Sequence, residues 1–269
     1  MSCCVRGARP KGLVLCASQH EERRRQNWDA VRGDTRPGRT VRSVDAGALA
    51  VASQGGVDVW SARSMDELHD AASLGRVDAV RGSLDSGVAV DGSILSGRTA
   101  LQAACEFGHV DVVTLLLDRG ASVDRADQHG YTPLHRACLE DGSAEVVRLL
   151  LARGADFERT SERGWLPLHV ACSAGRSIAA RLLLDLGTEV DRTNGEGATP
   201  MWVACREGQH TTVRLCLERG ADINWARVGS TMQDVCRINE YEVMEGWLAR
   251  IRASAGRVIF RNHGTSWWF

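Results

Sequence analysis

A short phrase returns about every 33 residues through the middle of the chain, and this period constrains the fold more than any other feature. The phrase reads Thr-Ala-Leu-Gln, Thr-Pro-Leu-His, Leu-Pro-Leu-His and Thr-Pro-Met-Trp, starting at Thr99, Thr132, Leu166 and Thr199. Each occurrence leads into Ala-Cys, and the cysteines, spaced 33, 34 and 33 residues apart, are Cys105, Cys138, Cys172 and Cys205. Such a period indicates one supersecondary unit copied side by side, so we predict a solenoid rather than a closed globule.

Length and composition place the chain among water-soluble proteins. It has 269 residues, 43% of them hydrophobic, with a formal net charge of -1. Its apolar runs last only a few residues, whereas a membrane-spanning helix needs roughly 20. The apolar stretch at residues 12–17 is also shorter than the roughly 7 to 15 residues of a secretory signal core. We therefore expect neither a transmembrane segment nor a signal peptide.

Six of the nine cysteines follow the repeat rather than a disulfide framework, and the other three, Cys3, Cys4 and Cys16, lie in the N-terminal tail. Cys236 continues the column 31 residues after Cys205, and Cys216 replaces a leucine in a Leu-Leu-Leu slot. We interpret these cysteines as small buried hydrophobic residues of a reducing compartment, which predicts a cytoplasmic or nuclear protein.

Charge divides the chain into two parts. Residues 1–64 hold 11 basic and 6 acidic residues, whereas 65–269 hold 22 basic and 28 acidic residues. Residues 1–64 also lack helical periodicity and carry little apolar surface, so we predict a basic, mostly disordered arm. The copies then run over 65–97, 98–130, 131–164, 165–197 and 198–229, with a degenerate copy at 230–251 and a C-terminal extension at 252–269.

Each copy predicts two helices and a hairpin-like loop. Thr132 is suited to cap the first helix and Pro133 to its first turn, where no amide donor is needed. The second helix carries an apolar strip such as Val112-Val113 followed by Leu115–Leu117, and Gly120 ends it. The end copies have more irregular strips, as expected where one face has no neighbour.

These motifs resemble those of ankyrin-repeat proteins. The phrase Thr-Pro-Leu-His-x-Ala-Cys, the glycine between the helices, the leucine strip and Gly-Ala-Asp recur in order over residues 65–251. The resemblance implies an all-α ankyrin-repeat solenoid of two helices and a hairpin loop per copy. Departures are Gln102 and Trp202 in the histidine slot, Leu166 at the threonine cap, and a shortened loop between Asn224 and Gly229.

Two histidine–cysteine pairs have a spacing that could be mistaken for a site. His135 with Cys138, and His169 with Cys172, are three residues apart. Helices of neighbouring copies lie about 8–10 Å apart, too far for cysteines of different copies to share a zinc ion with bonds of about 2.0–2.3 Å. A buried thiol column also supplies no activated nucleophile. We therefore predict no catalytic residue, metal, cofactor or small-molecule substrate, and no enzyme activity.

The family resemblance implies that another protein binds the concave face, through hairpin tips and exposed positions of the first helices. Large apolar groups with arginine at such positions are typical of binding hot spots. The predicted partner-binding residues are Phe107, Gln128, His129, Tyr131, Leu139, Glu140, Glu162, Arg163, Trp165, Glu196, Trp202, Arg206 and Glu207. The alternative for Tyr131 and Trp165 is that they pack over the adjacent hairpin.

These observations predict a non-enzymatic adaptor or scaffold that binds a protein segment. The alternative function is a regulator whose Arg-rich arm also contacts nucleic acid or an anionic membrane. Two roles stay open for the C-terminal Ser266–Phe269: covering the open face of the last copy, or serving as a peptide for a pocket in another protein.

Overall fold

A computed structural model describes residues 59–139, 144–227, 230–231, 234 and 242–255. All of them belong to the unit Val57–Phe269. Three predictions lie outside the described residues: the arm up to residue 58, the inserted residues Glu140 and Asp141, and the end of the chain from residue 256.

The repeated phrase folds as two helices per copy. In chain order the helices are α1 (Val59–Ser73), α2 (Val77–Asp85), α3 (Ala100–Glu106), α4 (Val110–Asp118), α5 (Pro133–Ala137), α6 (Ala144–Ala152), α7 (Pro167–Ala174), α8 (Ser177–Asp185), α9 (Pro200–Arg206) and α10 (His210–Glu218). Odd-numbered helices are the first, and even-numbered helices the second, of each copy. The predicted helical repeat array is thus confirmed.

Threonine side chains cap the N-termini of several of the first helices, as the sequence predicted. The Oγ1 atom of Thr99 accepts from the backbone N–H of Gln102 at 3.3 Å, and that of Thr132 from His135 at 3.4 Å. Leu166 has no such oxygen, but its own N–H donates to His169 Nδ1 at 3.2 Å. One half of the reciprocal cap therefore survives in the copy that lacks threonine.

The helices form two layers joined by one apolar seam. Each first helix packs on the second helix of its own copy and on the first helix of the next, and the second helices contact one another in the same order. The seam is made of the leucine or methionine of each phrase and the cysteine after it. These buried residues are Leu101, Cys105, Leu134, Cys138, Leu168, Cys172, Met201 and Cys205. Burying each large apolar side chain of this seam contributes about 1.5–3 kcal/mol to stability.

The ends of the array differ from the sequence prediction in detail. Helix α1 begins at Val59, inside the segment assigned to the arm, and neither glycine nor proline interrupts residues 57–73. After α10, the strands β1 (Ala226–Arg227) and β2 (Ser230–Thr231) pair antiparallel, with Ala226 opposite Thr231. Helix α11 (Glu242–Ala255) extends beyond residue 251. The division at 64/65 and 251/252 stays a prediction, with these helix bounds as the observed ones.

Candidate protein-binding surface

Four hairpin tips project between consecutive copies and form what we call the tip edge. Each hairpin closes by a backbone hydrogen bond, for example from Asp127 N–H to the Tyr131 carbonyl at 3.0 Å and from Ser161 N–H to the Trp165 carbonyl at 2.9 Å. A glycine with positive φ sits in each tip, as Gly130 and Gly164 do. The tip edge consists of Leu95, Ser96, Gln128, His129, Glu162, Arg163, Gly195 and Glu196.

Backbone hydrogen bonds join each tip to the next. The N–H of Gln128 donates to the Ser96 carbonyl at 3.4 Å, and the N–H of Glu162 donates to the His129 carbonyl at 3.0 Å. The series continues from Gly195 N–H to the carbonyl of Arg163 at 2.8 Å. Since these bonds fix the backbone from tip to tip, the tips form one continuous ordered edge.

Most predicted tip residues are solvent-exposed. Gln128, His129, Glu162, Arg163 and Glu196 all present their side chains to solvent. The Gln128 side chain additionally donates through Nε2 to the Leu95 carbonyl at 2.7 Å. A protein lying along the tip edge would therefore meet amide, imidazole, carboxylate and guanidinium groups in turn.

The predicted apolar contacts are corrected by the structure. Tyr131 is 5% exposed, Trp165 is 4% exposed, and Leu139 is buried as well. The Tyr131 ring lies edge-on to the His135 ring at 5.4 Å, and the Trp165 ring lies 6.0 Å from that of His169. Both aromatic residues follow a tip glycine, and there they pack over the hairpin, as the alternative interpretation held.

The C-terminal group of predicted contacts is also mostly buried. Trp202 is buried beneath Arg206, whose guanidinium carbon lies 5.5 Å from the Trp202 ring centre. The Nε atom of Arg206 also donates to Glu207 Oε1 at 2.9 Å, and Glu207 is buried. Of these three predicted residues, Arg206 alone is partly exposed. Glu140 lies outside the described residues.

Exposed apolar groups occur near the N-terminal end of this surface. Phe107, the residue that follows α3, is 53% exposed, as predicted for a contact residue. Leu95 at the first tip is fully exposed, and Leu74 is exposed too. Leu74 occupies in the first copy the position of Phe107 in the second, so the repeat alignment carried a signal for it that our sequence interpretation missed.

Four buried charged residues of the second and third copies form a network of ion pairs. Arg98 pairs with Glu106, Arg136 pairs with Asp127, and the Nη1 atom of Arg136 lies 3.9 Å from Glu106 Oε2. Arg98 and Glu106 are both buried. Burial lowers the pKa of Arg98 below its ordinary value. The pairing of Arg136 with Asp127 was not foreseen.

His135 and His169 connect neighbouring copies through hydrogen bonds. The Nε2 atom of His135 lies 2.9 Å from the Trp165 carbonyl oxygen, and that of His169 lies 3.0 Å from the Ala198 carbonyl oxygen. Burial lowers the pKa of each imidazole to about 4. Their nitrogens thus join neighbouring copies as neutral hydrogen-bonding groups.

The cysteine column is buried, as the sequence predicted. Cys105, Cys138, Cys172, Cys205 and Cys216 are all buried thiols. Burial raises the pKa of Cys138 to about 12, which disfavours the nucleophilic thiolate. Among the described residues, His, Cys, Asp and Glu form no group of three that could hold a metal ion. No described helix has the length and apolar character needed to cross a bilayer.

Comparison with known proteins agrees with this architecture. The family profile described as ankyrin repeats in three copies matches residues 68–161 and 140–226. The chain belongs to the ankyrin-repeat family, whose repeats are generally protein–protein interaction modules and are typically non-enzymatic. No curated protein gives a significant match to the chain.

Proposed function

We propose that this chain is a non-enzymatic adaptor or scaffold that holds a segment of a partner protein on the concave face, along the tip edge. The observation that carries the proposal is the hydrogen-bonded series from Ser96 to Gly195, which presents exposed side chains at fixed spacing. A reducing compartment, cytoplasmic or nuclear, is part of the same proposal and is supported by the buried thiols.

Preorganisation explains how such an edge would bind. Ordering a loop or a side chain at the moment of association costs free energy, about 0.5–1.5 kcal/mol for each mobile side chain. The tips are already ordered by bonds such as Glu162 N–H to the His129 carbonyl, so a partner segment would not have to order the backbone.

The chemistry of the edge suggests a partner segment of mixed character. Leu95 and Phe107 offer apolar contact near the N-terminal copies, whereas Glu162, Arg163 and Glu196 offer charges of both signs further along. We infer a segment with a large apolar residue at one end and both acidic and basic residues at the other.

A capture experiment with the full-length chain tests the proposal. The tip variant is Gln128→Ala, His129→Ala, Glu162→Ala and Arg163→Ala combined, because these exposed changes should leave the fold intact. The matched control is Asp111→Ala with Thr211→Ala, two exposed residues on second helices. Proteins recovered from a cell lysate by each chain are then quantified by mass spectrometry.

The expected result is a set of proteins recovered by the wild-type chain and the control but depleted at least about tenfold with the tip variant. One such protein, purified, should lose affinity for the tip variant in direct titration. Equal recovery by all three chains, with circular dichroism showing unchanged helix content, would contradict the proposal.

A further inference from the structure

Ion pairs connect the second helices of neighbouring copies along their outer side. In each pair, an aspartate at the end of one second helix contacts the arginine just beyond the end of the next. The nitrogen–oxygen distances are 2.8 Å for Asp85–Arg119, 3.0 Å for Asp118–Arg153 and 2.7 Å for Asp185–Arg219. The array therefore carries a repeated, partly exposed ion pair at three of its boundaries.

The boundary between the third and fourth copies has apolar residues at these positions. Ala152 stands where the other copies have an acidic residue, and Leu186 stands where the second, third and fifth copies have arginine. Ala152 is exposed and Leu186 is 48% exposed. A methyl group and an isobutyl group thus face solvent where the neighbouring boundaries have an ion pair.

A second set of contacts changes at the same boundary. Loop aspartates accept from the backbone N–H of the next loop, with distances of 3.0 Å for Asp91 to Ser122, 3.1 Å for Asp124 to Asp156 and 3.0 Å for Asp191 to Asp222. The corresponding residue of the third copy is Glu158, whose carboxylate lies 3.9 Å from Arg192 Nη1. Two independent positions therefore distinguish this boundary from the others.

Helix α8 extends the apolar surface. Ile178 is 55% exposed, and the equivalent residues of the other copies are polar: Asp78, Asp111, Glu145 and Thr211. Ile178, Leu182 and Leu186 are each four residues apart, so they form one stripe about 12 Å long. We call Ala152, Ile178, Leu182 and Leu186 the outer patch.

Two exposed arginines border the outer patch. Arg148 and Arg181 occupy the same position on α6 and α8. In the fifth copy the equivalent Arg214 donates to Glu218 Oε1, four residues later, at 2.9 Å. Four residues after Arg148 is Ala152, which has no carboxylate, and the residue four after Arg181 is Asp185, which pairs with Arg219. Arg148 and Arg181 thus place two cations at the border, beside the exposed carboxylates of Glu145 and of Asp185, which pairs with Arg219.

We propose that the outer patch is a second docking surface, which binds an amphipathic helix with an apolar face bordered by carboxylates. The stripe fits apolar side chains of two successive turns of such a helix, and Arg148 and Arg181 complement its acidic borders. The surface lies on second helices, whereas the proposed adaptor function uses the tips, so this inference does not depend on the tip edge.

The test is a titration of the full-length chain against two labelled synthetic helical peptides. Both carry leucines at helical spacing on one face, and their bordering residues are glutamate in one and lysine in the other. Fluorescence anisotropy should give the glutamate peptide a Kd at least about tenfold lower than that of the lysine peptide. Ile178→Asp with Leu186→Arg, the residues of the second copy at these positions, should weaken binding of the glutamate peptide about tenfold.

A control variant separates the two proposed surfaces. Glu162→Ala with Arg163→Ala changes the tip edge and should leave the affinity for the glutamate peptide unchanged. Equal binding of the two peptides, or an unchanged Kd in a folded Ile178→Asp, Leu186→Arg variant, would overturn the proposal. A dimer of the wild-type chain in sedimentation equilibrium that this variant dissociates would overturn it too, since a second copy would then occupy the patch.

Discussion

His135 Nε2 lies 2.9 Å from the carbonyl oxygen of Trp165, in the hairpin that opens the next copy. A carbonyl only accepts, so Nε2 carries the hydrogen, and Nδ1 accepts from the Thr132 N–H at 3.2 Å. One neutral imidazole thus caps its own helix and binds the neighbouring copy. A second proton would have to displace the Thr132 N–H bond inside a buried site.

Acid is therefore expected to destabilise the array through His135 and His169. The folded pKa of each is about 4, below the ordinary 6.5 of an unfolded histidine. Between these values the unfolded chain binds protons that the folded chain excludes, so stability falls as pH decreases from 6.5 to 4 and the full contribution is present above 6.5. The loss is up to about 3 kcal/mol for each histidine, and urea unfolding at several pH values measures it.

The second copy supplies a matched control for this prediction. Gln102 fills the histidine slot, where its Nε2 donates to the Tyr131 carbonyl at 2.7 Å and its Oε1 accepts from the Thr99 N–H at 3.0 Å. His135→Gln with His169→Gln should keep both hydrogen bonds and remove the two titrating groups. A urea midpoint with the same dependence on pH in variant and wild type would show that these histidines are not responsible.

The helical array could be predicted from the sequence because each copy repeats the same local signals. Thr132 and Pro133 mark a helix start in the chain itself, and the leucine strip sets the buried side of the second helix. The start of α1 at Val59 was missed because no such phrase precedes it. The start of a helix can be predicted from local capping signals only where a capping residue is present in the sequence.

The exposure of the candidate site was harder to predict. Family positions indicated which residues lie near the tips, and Gln128 and Arg163 are indeed exposed. Tyr131 and Trp165 also lie at family positions that indicate contact with a partner, but their rings pack near those of His135 and His169. The orientation of each ring depends on its packing against a side chain four residues later and against the next copy. This packing cannot be predicted from a single sequence.

Trp165 should therefore stabilise the fold rather than contact a partner. Removing a buried tryptophan side chain costs about 3–5 kcal/mol, so Trp165→Ala should lower the unfolding midpoint strongly. The exposed Arg163, two residues earlier, is the control, and Arg163→Ala should change stability by no more than about 0.5 kcal/mol. Thermal unfolding followed by circular dichroism compares them. Similar midpoints for both variants would restore Trp165 as a candidate surface residue.

The buried pair of Asp127 and Arg136 should show strong coupling. The fourth copy has Ser161 and Val170 at the same two positions, so these residues already occur there in the same fold. Asp127→Ser removes the nearer carboxylate of Arg136 and leaves Glu106 at 3.9 Å, whereas Arg136→Val removes the cation that pairs with the buried Asp127. Each single change should cost about 3–5 kcal/mol, and the double variant should cost less than the sum. Urea unfolding of all four chains gives the coupling energy.

The exposed pair of Asp118 and Arg153 is the reference for that coupling. Replacing each by alanine, singly and together, should give a coupling energy below about 1 kcal/mol, because water and salt screen the pair. Equal coupling at the buried and exposed pairs would show that burial does not strengthen the Asp127–Arg136 interaction.

Gly164, which directly follows Arg163 of the tip edge, should be the least replaceable of the glycines in the hairpin tips. Its φ is +71°, and a Cβ there would lie 2.5 Å from the backbone nitrogen of Gly195, the atom that donates to Arg163 across the tips. Gly187 also has a positive φ, +96°, but a Cβ on it would meet no described atom within 4 Å. Gly187→Ala should therefore cost only the backbone strain of about 1–2 kcal/mol, and Gly164→Ala should cost that strain plus about 1–3 kcal/mol for the close contact. Hydrogen exchange of the Gly195 amide should accelerate in Gly164→Ala alone, because the bond between the tips is lost. If both variants lose equal stability and protect Gly195 equally, the tips are not held at the spacing that the proposed binding edge requires.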